Sequence, residues 1–408
     1  MNVVMLNTAT LDDKVVIKGG PTSGGGSAGG GNTGGGTAIS KPINDVNFFD
    51  CDGTVLHSYT KDEFLALSAM PALPTREGLI CQEWNWDYED AQEYVAEYGI
   101  CDIGATYITD DGKTRLYIRI PYHGVLRQGF NITFTKGTQA GSIDWGDGTI
   151  TTISSSNSHI YAEEGDYVIA IDPADGKISA FSRSTTLDLY KAEVGKGVLG
   201  SSEFSVAGAM MLESISLPKD FACSWRSNAT NLQCIVLPKN APSVDMCTNG
   251  GGLKRVSLPN TPITLKGMTF QECSALQRLV IPTGVTFGDP STVINQCSFL
   301  NFLILPKEIA RVPTIAGSSK AFTYLEINNG DTVLDTEIIY YTTNLEAINF
   351  GRCTAIPQMQ STNIFRYLPS DCKIIVPDAL YDTWIAATNW SNFTKYIIKK
   401  SDWDASQS

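Results

Sequence analysis

The chain has 408 residues, 42% of them hydrophobic and 18% charged, with 37 glycines and a formal net charge of −13. That length has room for roughly two to four domains. The acidic balance speaks against nucleic acid or an anionic lipid surface as main partner, and with no apolar run of about 18 residues no membrane-spanning helix is expected.

Other classes are set aside by pattern. The first residues lack the charged-then-apolar layout of a signal peptide. The ten cysteines include no Cys-x-x-Cys pair, so neither a zinc site nor any cofactor is expected. Cys273 and Cys297 fall at the same place in successive repeats and read as stacked, buried free thiols. Free thiols without a signal peptide point to assembly in a reducing cytoplasm.

Residues 1–18 hold two apolar runs, Val3-Val4-Met5-Leu6 and Val15-Val16-Ile17, which predict two short strands around Asn7–Asp13. So short a segment buries no core, so it either pairs with another chain as an anchor peptide or frays. Residues 19–42 are a Gly-rich linker, with eleven glycines between Gly19 and Gly36. As a free coil that tract spans roughly 20–25 Å.

Residues 43–126 predict a small α+β module. Val46–Phe49 is a strand. Thr60–Ser68 is a helix capped by Thr60, with Glu63 at the reciprocal position. Trp86–Tyr98 is a second helix. Ala105–Thr109 and Thr114–Ile120 alternate around Asp110-Asp111-Gly112, which signals a hairpin. The segment Asp50-Cys51-Asp52-Gly53-Thr54 fits the nucleophile motif of haloacid dehalogenase-type phosphatases, in which the first Asp attacks phosphorus beside Mg²⁺. The further βαβ units and late acidic pair of that chemistry are missing, so the stretch reads as a strand followed by an Asp-Gly turn.

Residues 127–200 predict a β-sandwich and a transition. Phe130–Phe134 alternates, Trp145-Gly-Asp-Gly-Thr149 makes a tight turn, and His159-Ile-Tyr161-Ala-Glu-Glu-Gly165-Asp-Tyr167 leads into a strand. These residues resemble the polycystic-kidney-disease (PKD) type domain, an immunoglobulin-like spacer. The resemblance implies that Trp145 and Tyr167 are core. Asp144, Asp147 and Asp166 read as turn formers, with Ca²⁺ binding as the alternative.

Residues 201–378 repeat one phrase: Leu212-Glu-Ser-Ile-Ser-Leu-Pro218, Leu232-Gln-Cys-Ile-Val-Leu-Pro238, Leu253-Lys-Arg-Val-Ser-Leu-Pro259, Leu276-Gln-Arg-Leu-Val-Ile-Pro282 and Leu300-Asn-Phe-Leu-Ile-Leu-Pro306. Weaker copies end at Asn328, Gly351 and Pro377, giving steps of 20 to 26 residues. That period with a Leu-x-x-apolar-x-apolar core predicts a leucine-rich repeat solenoid, each repeat laying a short strand on a shared core. The Pro has no N–H and ends the ladder at one edge of every coil. Residues 379–408 predict a C-terminal helical cap, with a helix at Ala379–Thr388 and a last strand or turn at Phe393–Lys399. The fold class expected is thus mainly β and multidomain.

The repeats, with Cys273-Ser-Ala-Leu276 and Cys297-Ser-Phe-Leu300, resemble BspA-type leucine-rich repeats of gut bacteria and their phages. The ending Ile375-Val-Pro-Asp378 to Trp384 and Trp390-Ser391 resembles the closing cap of such arrays. Asn47-Phe-Phe-Asp50, Asp52-Gly-Thr-Val55, Trp84-Asn-Trp86 and Tyr107–Ile118 resemble a module that precedes these repeats in gut phage and Firmicutes proteins. The resemblances imply a non-enzymatic protein of adhesion or structure. Two settings are expected: a phage virion protein (head fibre, capsid decoration or tail-associated fibre) on the virion surface, or a bacterial cell-surface adhesin. The implied partners are other virion proteins through Val3–Leu6 and Val15–Ile17, and a host surface protein or glycan. A homo-oligomer is compatible with this.

Alternation places the residues flanking each inward Ile, Val or Leu on the outer face. Arg255, Arg278, Phe302 and Tyr324 then stand on consecutive coils beside Val280 and Ile304. Such a patch marks a contact: either a neighbouring domain, coil or protomer packs over it, or it is a ligand face for a receptor or glycan.

Overall fold

The computed structural model describes residues 3–6, 15–18, 45–120, 129–133, 141–173, 181–183, 189–196 and, apart from short breaks, 203–407. The Gly-rich linker lies outside the described residues. Strands β1 (Val3–Leu6) and β2 (Val15–Lys18) pair antiparallel, Val3 opposite Lys18 and Leu6 opposite Val15.

The module is a four-stranded sheet with two helices. Its strands are β3 (Val46–Phe49), β4 (Val55–Tyr59), β5 (Leu79–Trp84) and β6 (Cys101–Thr109), in the order β4-β3-β6-β5. Helix α1 (Lys61–Leu65) starts at a capping box: Glu63 N donates to Thr60 Oγ1, and Thr60 N donates to Glu63 Oε2 at 2.8 Å. Helix α2 (Tyr88–Tyr98) ends at Gly99, whose φ of 78° is the left-handed C-cap. Phe48, Phe64, Trp84 and Val95 fill the space between helices and sheet.

The predicted hairpin does not form. Strand β7 (Thr114–Ile120) turns away at Asp110–Gly112 and pairs with β12 (Gly165–Pro173) and β14 (Leu189–Glu193), while β6 pairs with β3 and β5. The turn joins two sheets, and Gly195 fixes it: a Cβ there would lie 2.3 Å from Gly112 O.

Strands β8 (Gly129–Thr133), β9 (Gly141–Asp144), β10 (Ile150–Thr152) and β11 (Ser156–Ile160) complete two facing sheets with β7, β12, β13 (Phe181–Arg183) and β14. Trp145 is fully buried and Tyr167 packs partly buried against the same core. These sheets do not end before the repeats begin. In one, β14 pairs parallel with β16 (Ser214–Ser216), the first leucine-phrase strand; in the other, β13 pairs parallel with β15 (Glu203–Ser205). Antiparallel sandwich therefore passes into parallel solenoid along both sheets, and one apolar cluster runs from Leu116 to Ile397. The sandwich covers the solenoid's first coil, whose core would otherwise face water.

The leucine phrases form one side of the coils, in register: Ile235 opposite Val256, and Leu303, Leu325, Ile348 and Ile374 in line. The phrase Leu276–Pro282 keeps Leu279 and Ile281 in the core without being a ladder strand. Further short strands line the other sides, including Ile263–Leu265 with Val285–Phe287, and Phe270–Gln271 with Thr292–Asn295. Three corners leaving that last side carry positive φ, at Glu272, Gln296 and Tyr367. At the far end Ile397–Lys399 pairs with Lys373–Val376, and buried Trp384, Trp390 and Phe393 pack against Phe350 and Phe365.

Candidate functional site

The site that organises the chain is the seam between the module sheet and the leucine-phrase side of the solenoid, and its logic begins with the prolines. In a parallel ladder, the carbonyl at the end of one phrase accepts from the N–H one residue beyond its partner in the next coil. Leu237 is opposite Leu258, so its carbonyl would look to Pro259, which has no N–H. The same gap recurs at Leu217, Leu258 and Ile281, because each following phrase ends in Pro. A buried carbonyl left without a donor costs about 1–3 kcal/mol.

The module supplies the missing donors. Tyr107 N donates to Leu217 O at 3.0 Å. Asn85 Nδ2 donates to Leu237 O at 2.9 Å, Trp86 Nε1 to Leu258 O at 2.8 Å, and the Tyr94 hydroxyl to Ile281 O at 2.9 Å. Where a phrase ends in Asn instead, the ladder bond returns: Asn328 N donates to Leu305 O at 3.2 Å. One helix turn beyond Tyr94, the Tyr98 hydroxyl accepts from Lys307 N at 3.1 Å. The stretch Asn85–Tyr98 thus reads the corners of successive coils.

The outward row falls inside this seam. Arg278 reaches Asp45 O and Cys101 O, and pairs with Asp102 Oδ1 at 3.2 Å. Asp102 is buried and also accepts from Asn47 Nδ2 at 3.2 Å. Burial raises its carboxyl above the usual range, and the Arg278 charge offsets part of that rise. Arg255 Nε donates to Gly53 O at 2.8 Å, its guanidinium lying over the Phe49 ring. Val280, Phe302, Ile304 and Tyr324 share one buried cluster with Phe48, Trp86 and Tyr94 of the module. All six residues of the candidate ligand face are therefore brought together, but beneath the chain's own module. Packing by a neighbouring domain is what occupies the patch, so this row is not an exposed ligand face. Of the anchor residues, Val3–Leu6 and Val15–Ile17 are brought together as paired strands.

Sequence reasoning missed Asn85, Trp86, Tyr94 and Gly104 as contact residues. The signal was available: a regular series of Leu-Pro endings demands a matching series of donors from somewhere else in the chain.

The phosphatase-like segment is tied down at one margin of the seam. Arg76 Nη1 binds Asp50 Oδ2 at 2.9 Å and its Nη2 binds Asp52 Oδ2 at 3.0 Å. Asp50 Oδ1 accepts from Cys51 N at 2.7 Å. Burial pushes the Asp52 carboxyl up, but hydrogen bonds from Thr54 and the Arg76 charge outweigh it and hold it below the usual range. Both Asp50 oxygens are hydrogen-bonded, which lowers their nucleophilicity. In the sandwich, Asp147 Oδ2 lies 2.6 Å from His159 Nε2 and Asp166 forks with Arg119. No metal-ligating group of three or more His, Cys, Asp or Glu occurs among the described residues, and no helix there is long and apolar enough to cross a membrane.

No family model and no curated protein matches the chain. Among solved structures it is similar to a leucine-rich repeat protein from Bacteroides ovatus, at 12% identity over 62% of this chain and 71% of that one, with a TM-score of 0.25. The leucine-rich repeat-like solenoid is defined by the chain's own phrase and ladders.

Proposed function

We propose that this chain is a non-enzymatic structural protein of a phage virion, a head fibre, capsid decoration or tail-associated fibre, which presents its repeat body for attachment to a host surface protein or glycan. The observation that carries this reading is the seam. A repeat array clamped along one whole side by its own module, and continuous with a sandwich at its first coil, is a stiff presenting element. The paired apolar strands Val3–Leu6 and Val15–Lys18, ahead of the Gly-rich linker, supply an anchor. With the leucine-phrase side covered, attachment falls to the other sides of the coils. One such side carries the neighbouring hydroxyls of Thr264 and Thr286, bonded to each other, with Ser224 two coils before them.

Two tests bear on this. Deleting residues 1–18 should leave a folded body that no longer co-purifies with particles; retained incorporation would remove the anchor, and recovery with bacterial envelopes instead of particles would favour an adhesin. For the phosphatase-like motif, neither the intact protein nor Asp50→Asn should hydrolyse p-nitrophenyl phosphate above background with Mg²⁺. Turnover that disappears in Asp50→Asn would overturn the non-enzymatic reading.

A further inference from the structure

We propose that Cys273 and Cys297 are a peroxide-sensitive dithiol that closes into a disulfide between neighbouring coils. The placement comes from the ladder. Phe270 is opposite Ile294 and Gln271 opposite Asn295, in parallel register. Each strand then leaves through a left-handed corner, Glu272 at φ 57° and Gln296 at φ 56°, so the next residues stack one above the other. Those residues are Cys273 and Cys297. One coil rise of about 4.8 Å puts their Cα atoms inside the span a disulfide bridges, about 4.4–6.8 Å.

The Cys297 thiol leans onto the neighbouring coil, where its Sγ donates to Phe270 O at 3.3 Å, while Cys273 Sγ donates to Gln271 O at 3.7 Å. The neighbouring Cys273 holds the Cys297 thiol below its ordinary range, whereas burial pushes Cys81, Cys353 and Cys372 up to about 12. The pair thus holds a sulfur prepared to lose its proton, and Cys297, which reaches across to the other coil, is taken as the attacking one. Both side chains are fully buried, which selects for an oxidant of about the size of water over glutathione.

The chemistry balances with one hydrogen peroxide. The Cys297 sulfur attacks a peroxide oxygen and the O–O bond breaks. The departing hydroxide takes up the thiol proton as water, leaving a sulfenic acid on Cys297. The Cys273 sulfur then attacks the Cys297 sulfur, the S–O bond breaks, and hydroxide leaves with the Cys273 proton as a second water. Two thiols and one peroxide give one disulfide and two waters. The bond would tie two coils of a body that leaves a reducing compartment.

The test uses the full chain and hydrogen peroxide, followed by alkylation in denaturant and tryptic mapping. Cleavage after Arg278 separates Cys273, in peptide 267–278, from Cys297, in peptide 279–307. The expected result is these two peptides joined, lighter by two hydrogens, before other cysteines react, with a higher melting temperature for the oxidised protein. Cys273→Ser should instead leave a sulfenic acid on Cys297 that dimedone traps. Should that variant fail to fold, the order of oxidation in the unmodified chain decides by itself. Oxidation of Cys353 or Cys372 ahead of the pair, or Cys297 and Cys273 remaining separately alkylated after other thiols are consumed, overturns the proposal.

Discussion

Arg278→Glu is expected to lower the melting temperature sharply and to open the 45–109 module to protease. Arg278 is the only cation the structure places within 4 Å of the buried Asp102 carboxylate among the described residues. Removing one partner of a buried pair costs about 3–5 kcal/mol, because the other charge stays desolvated. Glu adds a like charge facing Asp102 and Asp45 and removes the donor to Asp45 O and Cys101 O. The neutral variant Arg278→Met separates these effects, and adding Asp102→Asn should recover part of its loss. The pH dependence has a definite sign. Burial raises the Asp102 carboxyl, so the docked state holds a proton more tightly than the free module. Its penalty is present above the folded pKa and is relieved as the pH falls through it. The deficit of Arg278→Met should therefore shrink on mild acidification. An unchanged melting temperature for Arg278→Glu would mean that the seam does not hold the module.

The repeats were legible because burial writes them directly: a core side chain at fixed spacing, then Pro where the ladder stops. Which residues of the phrase face outward was legible for the same reason. What lies over them was not, since alternation around Arg278 and Phe302 gives a side of the strand and says nothing of the neighbour. The turn at Asp110–Gly112 shows the same limit. Two alternating segments flanking Asp-Asp-Gly satisfy a hairpin locally, yet β6 finds β3 and β5 while β7 finds β12 and β14. Strands such as Phe270–Gln271 and Val333–Leu334 are too short for any period to register. The passage from sandwich to solenoid rests on β13 and β14 pairing across 20 or so residues of intervening chain, which no local pattern encodes.

Gly104 carries the second large effect. It sits in β6, in the middle of the module sheet, facing the solenoid strand Cys234–Val236. A Cβ at this position would lie 2.4 Å from both Val236 methyl carbons and 2.9 Å from its Cβ. The backbone has little freedom to retreat, because Gly104 N donates to Asn85 Oδ1 at 2.8 Å and Gly104 O accepts from Asn85 N at 2.9 Å. Asn85 is itself held by Leu237 O and Ser257 Oγ. On an open strand, Gly→Ala gains stability by about 0.5–1 kcal/mol, since glycine loses more chain entropy on folding. Here the sign should reverse. Gly104→Ala is expected to cost about 1–3 kcal/mol by overpacking, and Gly104→Val more, because two further methyls meet the same wall. The clash and the cavity should cancel in part when combined. Val236→Ala alone loses buried methyls, but with Gly104→Ala it makes room, so the double variant should be more stable than the two single losses added together. Denaturant unfolding of the four proteins measures that coupling. A gain of stability in Gly104→Ala, or losses that simply add, would mean that module and solenoid do not approach each other at this point.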